Sequence, residues 1–128
     1  MMMKRREFRD TIVKLIYQDI LGGEYCLLDY DEEVNLTIKR VQENYERLDA
    51  ILEKNLSGWT IDRLNYVDLA IIRYATYEMI ESDTPMRIII NEALEITKKY
   101  SNLDDDQEKK FNNRVLQNIK EYLEKANG

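Results

Sequence analysis

The sequence contains no histidine and only one cysteine, Cys26, among its 128 residues. Histidine is a common general base and the commonest metal ligand. Its absence excludes Ser-His-Asp and Cys-His catalysis and zinc sites of the usual Cys/His type. A single cysteine also excludes a disulfide within the chain. We therefore expect a protein that is not an enzyme and that binds no metal and no cofactor.

Long hydrophobic runs are also missing. No apolar stretch approaches the roughly 20 residues of a membrane-spanning helix, and no signal peptide follows the three methionines at the start of the sequence. These features predict a soluble, cytoplasmic protein that does not interact with membranes. A chain of 128 residues is typical of a single domain, here 1–128, that buries roughly two-thirds of its unfolded surface.

The charge is negative overall but unevenly distributed. The chain carries 19 basic and 25 acidic residues, for a net charge of −6. This balance argues against indiscriminate nucleic-acid binding through bulk charge. Basic residues crowd the stretch from Lys4 to Arg9, whereas acids gather at 29–33 and 104–106. Any RNA contact must therefore be local.

Apolar residues recur at spacings of three and four throughout the chain, which predicts helices, and no alternating strand pattern is present. The pattern gives an all-α bundle of five or more helices, with apolar positions at 8–20, 34–52, 67–79, 88–100 and 111–123. Gly22 and Gly23 end the first of these helices. The segment 34–52 is treated as one helix because its spacing is unbroken.

Capping residues predict where three of the helices begin. Asp29 with Glu32, and Asn65 with Asp68, have the spacing of capping boxes. The single proline follows Thr84, which would make the threonine the N-cap and the proline the first helical residue. The acidic runs at 29–33 and 104–106 are better explained as charged helix starts than as cation sites.

Polar residues interrupt the apolar runs in a specific order after Trp59. The sequence reads WTIDRLNYVDLAIIRYATYEMI, then TPMRIIINEALEITKKY, then KFNNRVL. This order resembles the NusB family of bacterial transcription antitermination factors, in which W..DR...V..AILR.A.YE, D.P....INEA.E.AK.(F/Y) and KF(V/I)NGVL follow one another. The opening from Arg5 to Tyr17 is similar to the arginine-rich first helix of that family.

The resemblance implies a NusB-like fold and an assembly function. Members of the family pair with the ribosomal protein NusE and bind single-stranded boxA RNA in ribosomal RNA leader transcripts. The complex then keeps the transcription elongation complex resistant to premature termination. The family's first sub-bundle uses two helices after the arginine-rich one. Only residues 22–55 are available for them here, so we expect a shortened first sub-bundle with one helix missing or reduced to a turn.

The arginine-rich opening is the first candidate RNA site. In a helix, Arg6, Asp10, Val13 and Tyr17 form one stripe, and arginine forks suit phosphates while a tyrosine ring can stack on a base. The alternative is a solvated helix end in which Arg9 pairs internally with a carboxylate. The resemblance places RNA contacts on this segment. The full set of candidate RNA-binding residues is Lys4, Arg5, Arg6, Arg9, Tyr17, Phe111, Asn113 and Arg114.

The candidates after residue 100 each have a second interpretation. Phe111 has the spacing of a core residue, and Asn113 could bond to backbone instead of RNA. Arg114 replaces a glycine of the family pattern, so it either adds a phosphate contact or blocks close approach of RNA or a helix. Asp68 is the candidate partner-binding residue by resemblance, with a capping carboxylate as the alternative.

Two other functions remain open from the sequence. The acidic balance and Arg114 are compatible with a protein–protein interaction module that keeps the fold and has lost RNA binding. The RNA-binding domain of a ribosomal RNA cytosine methyltransferase shares the fold as well. However, the sequence contains neither a glycine-rich cofactor loop nor a catalytic cysteine motif.

Overall fold

The computed structural model describes residues 4–24, 30–100 and 106–127. These ranges form six α-helices and no strand, which confirms the all-α prediction. The helices are α1 (Arg5–Ile20), α2 (Glu32–Glu43), α3 (Tyr45–Lys54), α4 (Tyr66–Glu81), α5 (Met86–Tyr100) and α6 (Gln107–Asn127). A 3-10 turn, Ile61–Arg63, precedes α4.

Helix α4 is the centre of the bundle. Ten of its 16 residues are buried, and α1, α3, α5 and α6 all pack against it. Its sequence is apolar around most of its circumference, which is typical of a helix surrounded by others. Ile71 and Ile72, on adjacent faces, are both almost fully buried.

Helix α1 lies across α4 through the face that the sequence predicts. Phe8, Ile12, Leu15 and Ile16 are all at most 3% exposed. The helix ends before Gly22, whose φ of +74° lies in the left-handed region that glycine adopts without steric cost.

The segment 34–52 forms two helices, so the prediction of one helix was wrong. Asn44 separates α2 from α3, with φ −109° and ψ 5°. Its side-chain Nδ2 donates to the carbonyl of Arg40 at 2.7 Å, a local hydrogen bond of the kind that competes with helix continuation. The apolar spacing continues across this break, so periodicity could not reveal it. Two helices thus follow α1, and the expected loss of a helix is corrected: the first sub-bundle is built from short helices of 12 and 10 residues.

The start of α2 is capped by Asp31, whose Oδ1 accepts from the backbone amide of Val34 at 2.9 Å. The other proposed capping residue, Asp29, lies outside the described residues, and Glu32 is the first residue of the helix. Acids in the first turn also favour this start through the helix dipole.

The starts of α4 and α5 follow their predictions closely. Asn65 caps α4 by accepting from the amide of Val67 at 2.8 Å, which confirms it as the N-cap. Asp68, the other residue of the predicted capping box, accepts a hydrogen bond from Asn112 of α6. Helix α5 begins at Met86, and the carbonyl of Pro85 accepts from the amides three and four residues further on. Pro85 therefore takes the capping position predicted for Thr84, a difference of one residue.

None of the six helices is both long and apolar enough to cross a membrane. Within the same three ranges, no group of three or more cysteine, aspartate or glutamate side chains converges as a metal site would require.

Candidate nucleic-acid interface

The exposed arginines at the start of α1 already have acidic partners. Arg5 Nη1 lies 3.2 Å from Glu33 Oε1 of α2. Arg6 binds Glu92 of α5 with two hydrogen bonds, of 2.8 Å from Nε and 3.2 Å from Nη2. The hydrogen bond from Arg6 lowers the pKa of Glu92, so this carboxylate stays charged. Lys4, in the N-cap position, is exposed and makes no side-chain cap.

Arg9 is buried, and the expectation that it contacts RNA is corrected. Only 6% of the residue is exposed, and its Nε and Nη2 donate to the two carboxylate oxygens of Glu78 at 2.6 and 3.0 Å. The internal pairing considered as the alternative is what the structure contains. Arg9 occupies the same face as Val13, which is itself buried, and so points into the bundle.

The proposed stripe along α1 is not a continuous RNA-facing surface. Val13 is only 2% exposed, and Tyr17 is partly buried against the core. Asp10 accepts hydrogen bonds from Lys99 Nζ and Tyr100 Oη, both at 2.6 Å. Burial alone would raise the pKa of Asp10, but these two bonds and the positive charges of Lys14 and Lys99 together outweigh it and lower the pKa below its usual range. Asp10 therefore fastens α1 to the end of α5.

A second and more open site lies between the 3-10 turn, the start of α4 and the start of α6. The rings of Trp59 and Phe111 meet edge to face, with centroids 5.7 Å apart, and the guanidinium carbon of Arg63 lies 5.5 Å from the Trp59 centroid. Trp59 is 49% exposed, and Phe111 is partly buried. The surrounding cleft, here called the aromatic cleft, has a volume of about 350 Å³ and is lined by Trp59, Arg63, Leu64, Asn65, Asp68, Gln107, Glu108 and Phe111.

Asp68 forms part of the wall of the aromatic cleft. It is only 5% exposed, and its Oδ1 accepts from Asn112 Nδ2 at 3.0 Å. Burial raises the pKa of Asp68 to about 6, partly offset by the bond from Asn112, and the nearby Glu108 carboxylate adds to the increase. Asp68 thus lines a cleft and does not lie on an open surface. Asn65, which lines the same cleft, caps α4 through its own side chain.

Asn112 is a site residue that the sequence reasoning missed. It is fully buried, and its Nδ2 bonds to both Asp68 and Thr97 Oγ1, the latter at 3.1 Å. Its Oδ1 has no partner among the described residues. The sequence could have predicted the burial of Asn112 from its helical register, because it shares a face with Leu116 and Ile119.

With this geometry established, comparison with known proteins decides the family. The NusB family model matches residues 29–121. The chain belongs to the NusB family. It is 39% identical over 127 residues to the transcription antitermination protein NusB of Listeria innocua, covering 91% of this chain and 96% of that relative. This family consists of transcription factors and not of enzymes, which confirms the expectation that the protein is not an enzyme.

Solved NusB structures share the fold. The structure of NusB from T. maritima superposes with a TM-score of 0.76 at 29% identity, covering 97% of this chain and 99% of that one. NusB in a crystal structure of the antitermination factors NusB and NusE with double-stranded RNA superposes with a TM-score of 0.74 at 28% identity, covering 95% and 99%.

The NusB pattern around Phe111 is only partly kept. Asn113 and Arg114 are both exposed on the outer side of α6. Asn113 Oδ1 accepts from Gln117 Nε2 at 3.4 Å and is otherwise open to solvent. Arg114 stands where the NusB pattern has glycine, and its exposed position shows that this side chain is accommodated without intruding into the bundle.

Proposed function

We propose that this chain is a cytoplasmic transcription antitermination factor that pairs with ribosomal protein NusE and binds single-stranded boxA RNA of ribosomal leader transcripts. In this assembly it would join the transcription elongation complex as one domain, 1–128. The names of its relatives and the NusB–NusE–RNA composition of one structural neighbour support this proposal. The function requires binding and no covalent chemistry.

The aromatic cleft is the observation that carries the proposal. Its Trp59 ring is half exposed, and the volume of about 350 Å³ is enough to admit a planar base. Stacking of an unpaired base on an aromatic ring contributes about 1–3 kcal/mol. Arg63 lies within reach of the same ring and can stack as well. The cleft thus combines the two features that single-stranded RNA sites use.

The wall of the cleft supplies hydrogen-bonding groups for the edge of that base. Asp68 and Glu108 can accept hydrogen bonds from base amino groups when charged, and Asn65 offers an amide. These groups would orient a base whose face rests on the aromatic rings. Exposed cations that could hold the connecting phosphates include Arg63 at the cleft itself and others at the starts of α1 and α6.

A titration of boxA RNA, with and without NusE, tests the proposal. Replacing Trp59 with alanine should weaken RNA binding by about 1–3 kcal/mol, which is roughly 5- to 150-fold, because the stacking surface is lost. The salt dependence should stay the same because no cation is removed. Tyr66→Ala is the matched control, since Tyr66 is 51% exposed but does not line the cleft. Equal losses in both variants would contradict a base in the cleft.

A second candidate function is a protein–protein module without RNA binding. The observation that favours it is the pairing of Arg5, Arg6 and Arg9 with carboxylates of this chain. Calorimetry separates the two candidates: heat of binding with NusE but none with boxA RNA, even in the presence of NusE, would support the module. The negative net charge should speed association with a basic ribosomal protein in either case.

A further inference from the structure

A groove opens between α3 and the C-terminal halves of α4 and α6, and it is here called the α3 groove. Its volume is about 550 Å³. Helix α3 has only 10 residues and packs more closely on α4 than on α6, which leaves the side next to α6 open. The buried residues that line the groove, Ile51, Met79 and Leu123, are among the most exposed members of the core. The core is therefore incompletely covered at this end of the bundle.

The charged side chains that line the α3 groove are both cations of α3, and no acidic residue of the described chain lines it. Lys54 makes no ion pair with any described residue, and its Nζ donates to Tyr122 Oη at 3.3 Å. Arg47 Nη1 lies 3.8 Å from Glu81 Oε1, which is too long for a hydrogen bond, and both side chains are about half exposed. An exposed pair of this kind contributes little, so Arg47 is available to a carboxylate of a partner.

The spacing of these two cations fits a helix lying along α3. Arg47 and Lys54 are seven residues apart, so they lie on one face of α3, about 10 Å apart along its axis. Ala50 and Ile51 fall between them and line the same groove. A partner helix with carboxylates seven residues apart would pair with both cations, while the apolar side chains between its carboxylates enter the groove.

We infer that the α3 groove binds an amphipathic helix of another protein, in which carboxylates flank the apolar side chains. A protein suits the groove better than RNA does, because Tyr122 is partly buried and Lys54 Nζ lies 5.6 Å from its ring centroid, which leaves a base little room to stack. The groove is also separate from the aromatic cleft, since Met79 follows Asp68 by about 16 Å along α4. The inference therefore goes beyond the proposed function and does not depend on RNA binding.

Fluorescence anisotropy with a labelled synthetic peptide tests the inference. The probe is a helical peptide of about 16 residues in which two glutamates, seven residues apart, flank two leucines. It should bind the full chain, and the double variant Arg47→Gln/Lys54→Gln should weaken binding about 2- to 30-fold because two exposed ion pairs are lost. The matched double variant Lys39→Gln/Arg40→Gln removes the same charge from exposed positions of α2 outside the groove and should leave binding unchanged.

A second variant tests the apolar part of the groove. Ala50→Glu places a carboxylate at an exposed position that lines the groove, and it should weaken peptide binding by about tenfold or more because it repels the glutamates of the peptide. Leu36→Glu adds the same charge at an exposed position of α2 and should have no effect. Circular dichroism of each variant should show unchanged helix content, as expected for exposed positions.

Three outcomes would overturn the inference. The first is wild-type protein that does not bind the peptide at about 1 mM. The second is an equal loss of binding in both double variants, which would mean diffuse attraction. The third is self-association of the wild-type chain, measured by light scattering, that Ala50→Glu abolishes, because the groove would then bind a second copy. A failure of boxA RNA to bind would refute the proposed function and leave the assignment of the groove intact.

Discussion

Two buried polar contacts join distant helices of this protein, and they differ in how charge is matched. Arg9 and Glu78 connect α1 to α4 with opposite charges and two hydrogen bonds. Asp68 and Asn112 connect α4 to α6, but the carboxylate receives one hydrogen bond from a neutral amide. The unmatched carboxylate has its pKa raised to about 6. The first contact is thus a fixed connection, and the second responds to pH.

Removing one member of the matched pair should have the largest effect. Arg9→Ala leaves Glu78 buried and unpaired, which we expect to lower the free energy of unfolding by about 3–5 kcal/mol. Urea denaturation at pH 7 measures it. The control is Arg9→Met combined with Glu78→Leu, which removes both charges and should recover most of the loss. A loss no larger in Arg9→Ala than in this double variant would show that the pair is not effectively buried.

The contact between Asp68 and Asn112 should make the stability of the protein depend on pH. Asp68 has a higher pKa when folded, so the folded state binds more protons, and its contribution to stability falls as pH rises from about 4 to about 6. Asp68→Asn removes this penalty. The stability of the variant relative to wild type should therefore increase by about 2–3 kcal/mol between pH 4 and pH 7. A pH-independent difference would show that Asp68 titrates normally.

Replacing Asn112, whose side-chain amide donates to Asp68, should have a smaller effect on stability. Asn112→Ala removes the hydrogen bond to the buried carboxylate, which we expect to cost about 1–3 kcal/mol at pH 7.5. The cost should be less at pH 5, where much of Asp68 is neutral. Thr97→Val, which removes the other acceptor of the same amide, is the control and should show no such pH dependence. The reverse trend, a larger cost at pH 5, would contradict this account.

Most of the fold could be predicted from the spacing of apolar residues, because burial of one helix face is a local property of sequence. The faces of α1 and α6 followed from this spacing, and the cap at Asn65 followed from the capping-box pattern of polar residues. The break at Asn44 could not, since the spacing runs through it and only the side-chain bond to Arg40 marks the interruption.

The candidate site was harder to predict because it depends on contacts between distant segments. Arg6 and Arg9 are both arginines in the first turns of α1, yet one is exposed and the other is buried against Glu78, 69 residues away. Trp59 was part of the recognised motif but acquired a role only when the fold brought it to Phe111. Whether each charged side chain is buried or exposed therefore depends on its partner in the folded structure, which the spacing of residues in the sequence does not specify.

The position of α4 at the centre has a consequence for synthesis of the chain. Helix α1 leaves the ribosome first, but the helix that buries its apolar face follows much later, and Arg9 and Glu78 are 69 residues apart. At translation rates of about 5–20 residues per second, this interval lasts about 3–14 seconds. During this time Phe8, Ile12 and Ile16 have no α4 to cover them. A nascent chain halted before α4 should therefore present α1 to chaperones, whereas one halted after it should not.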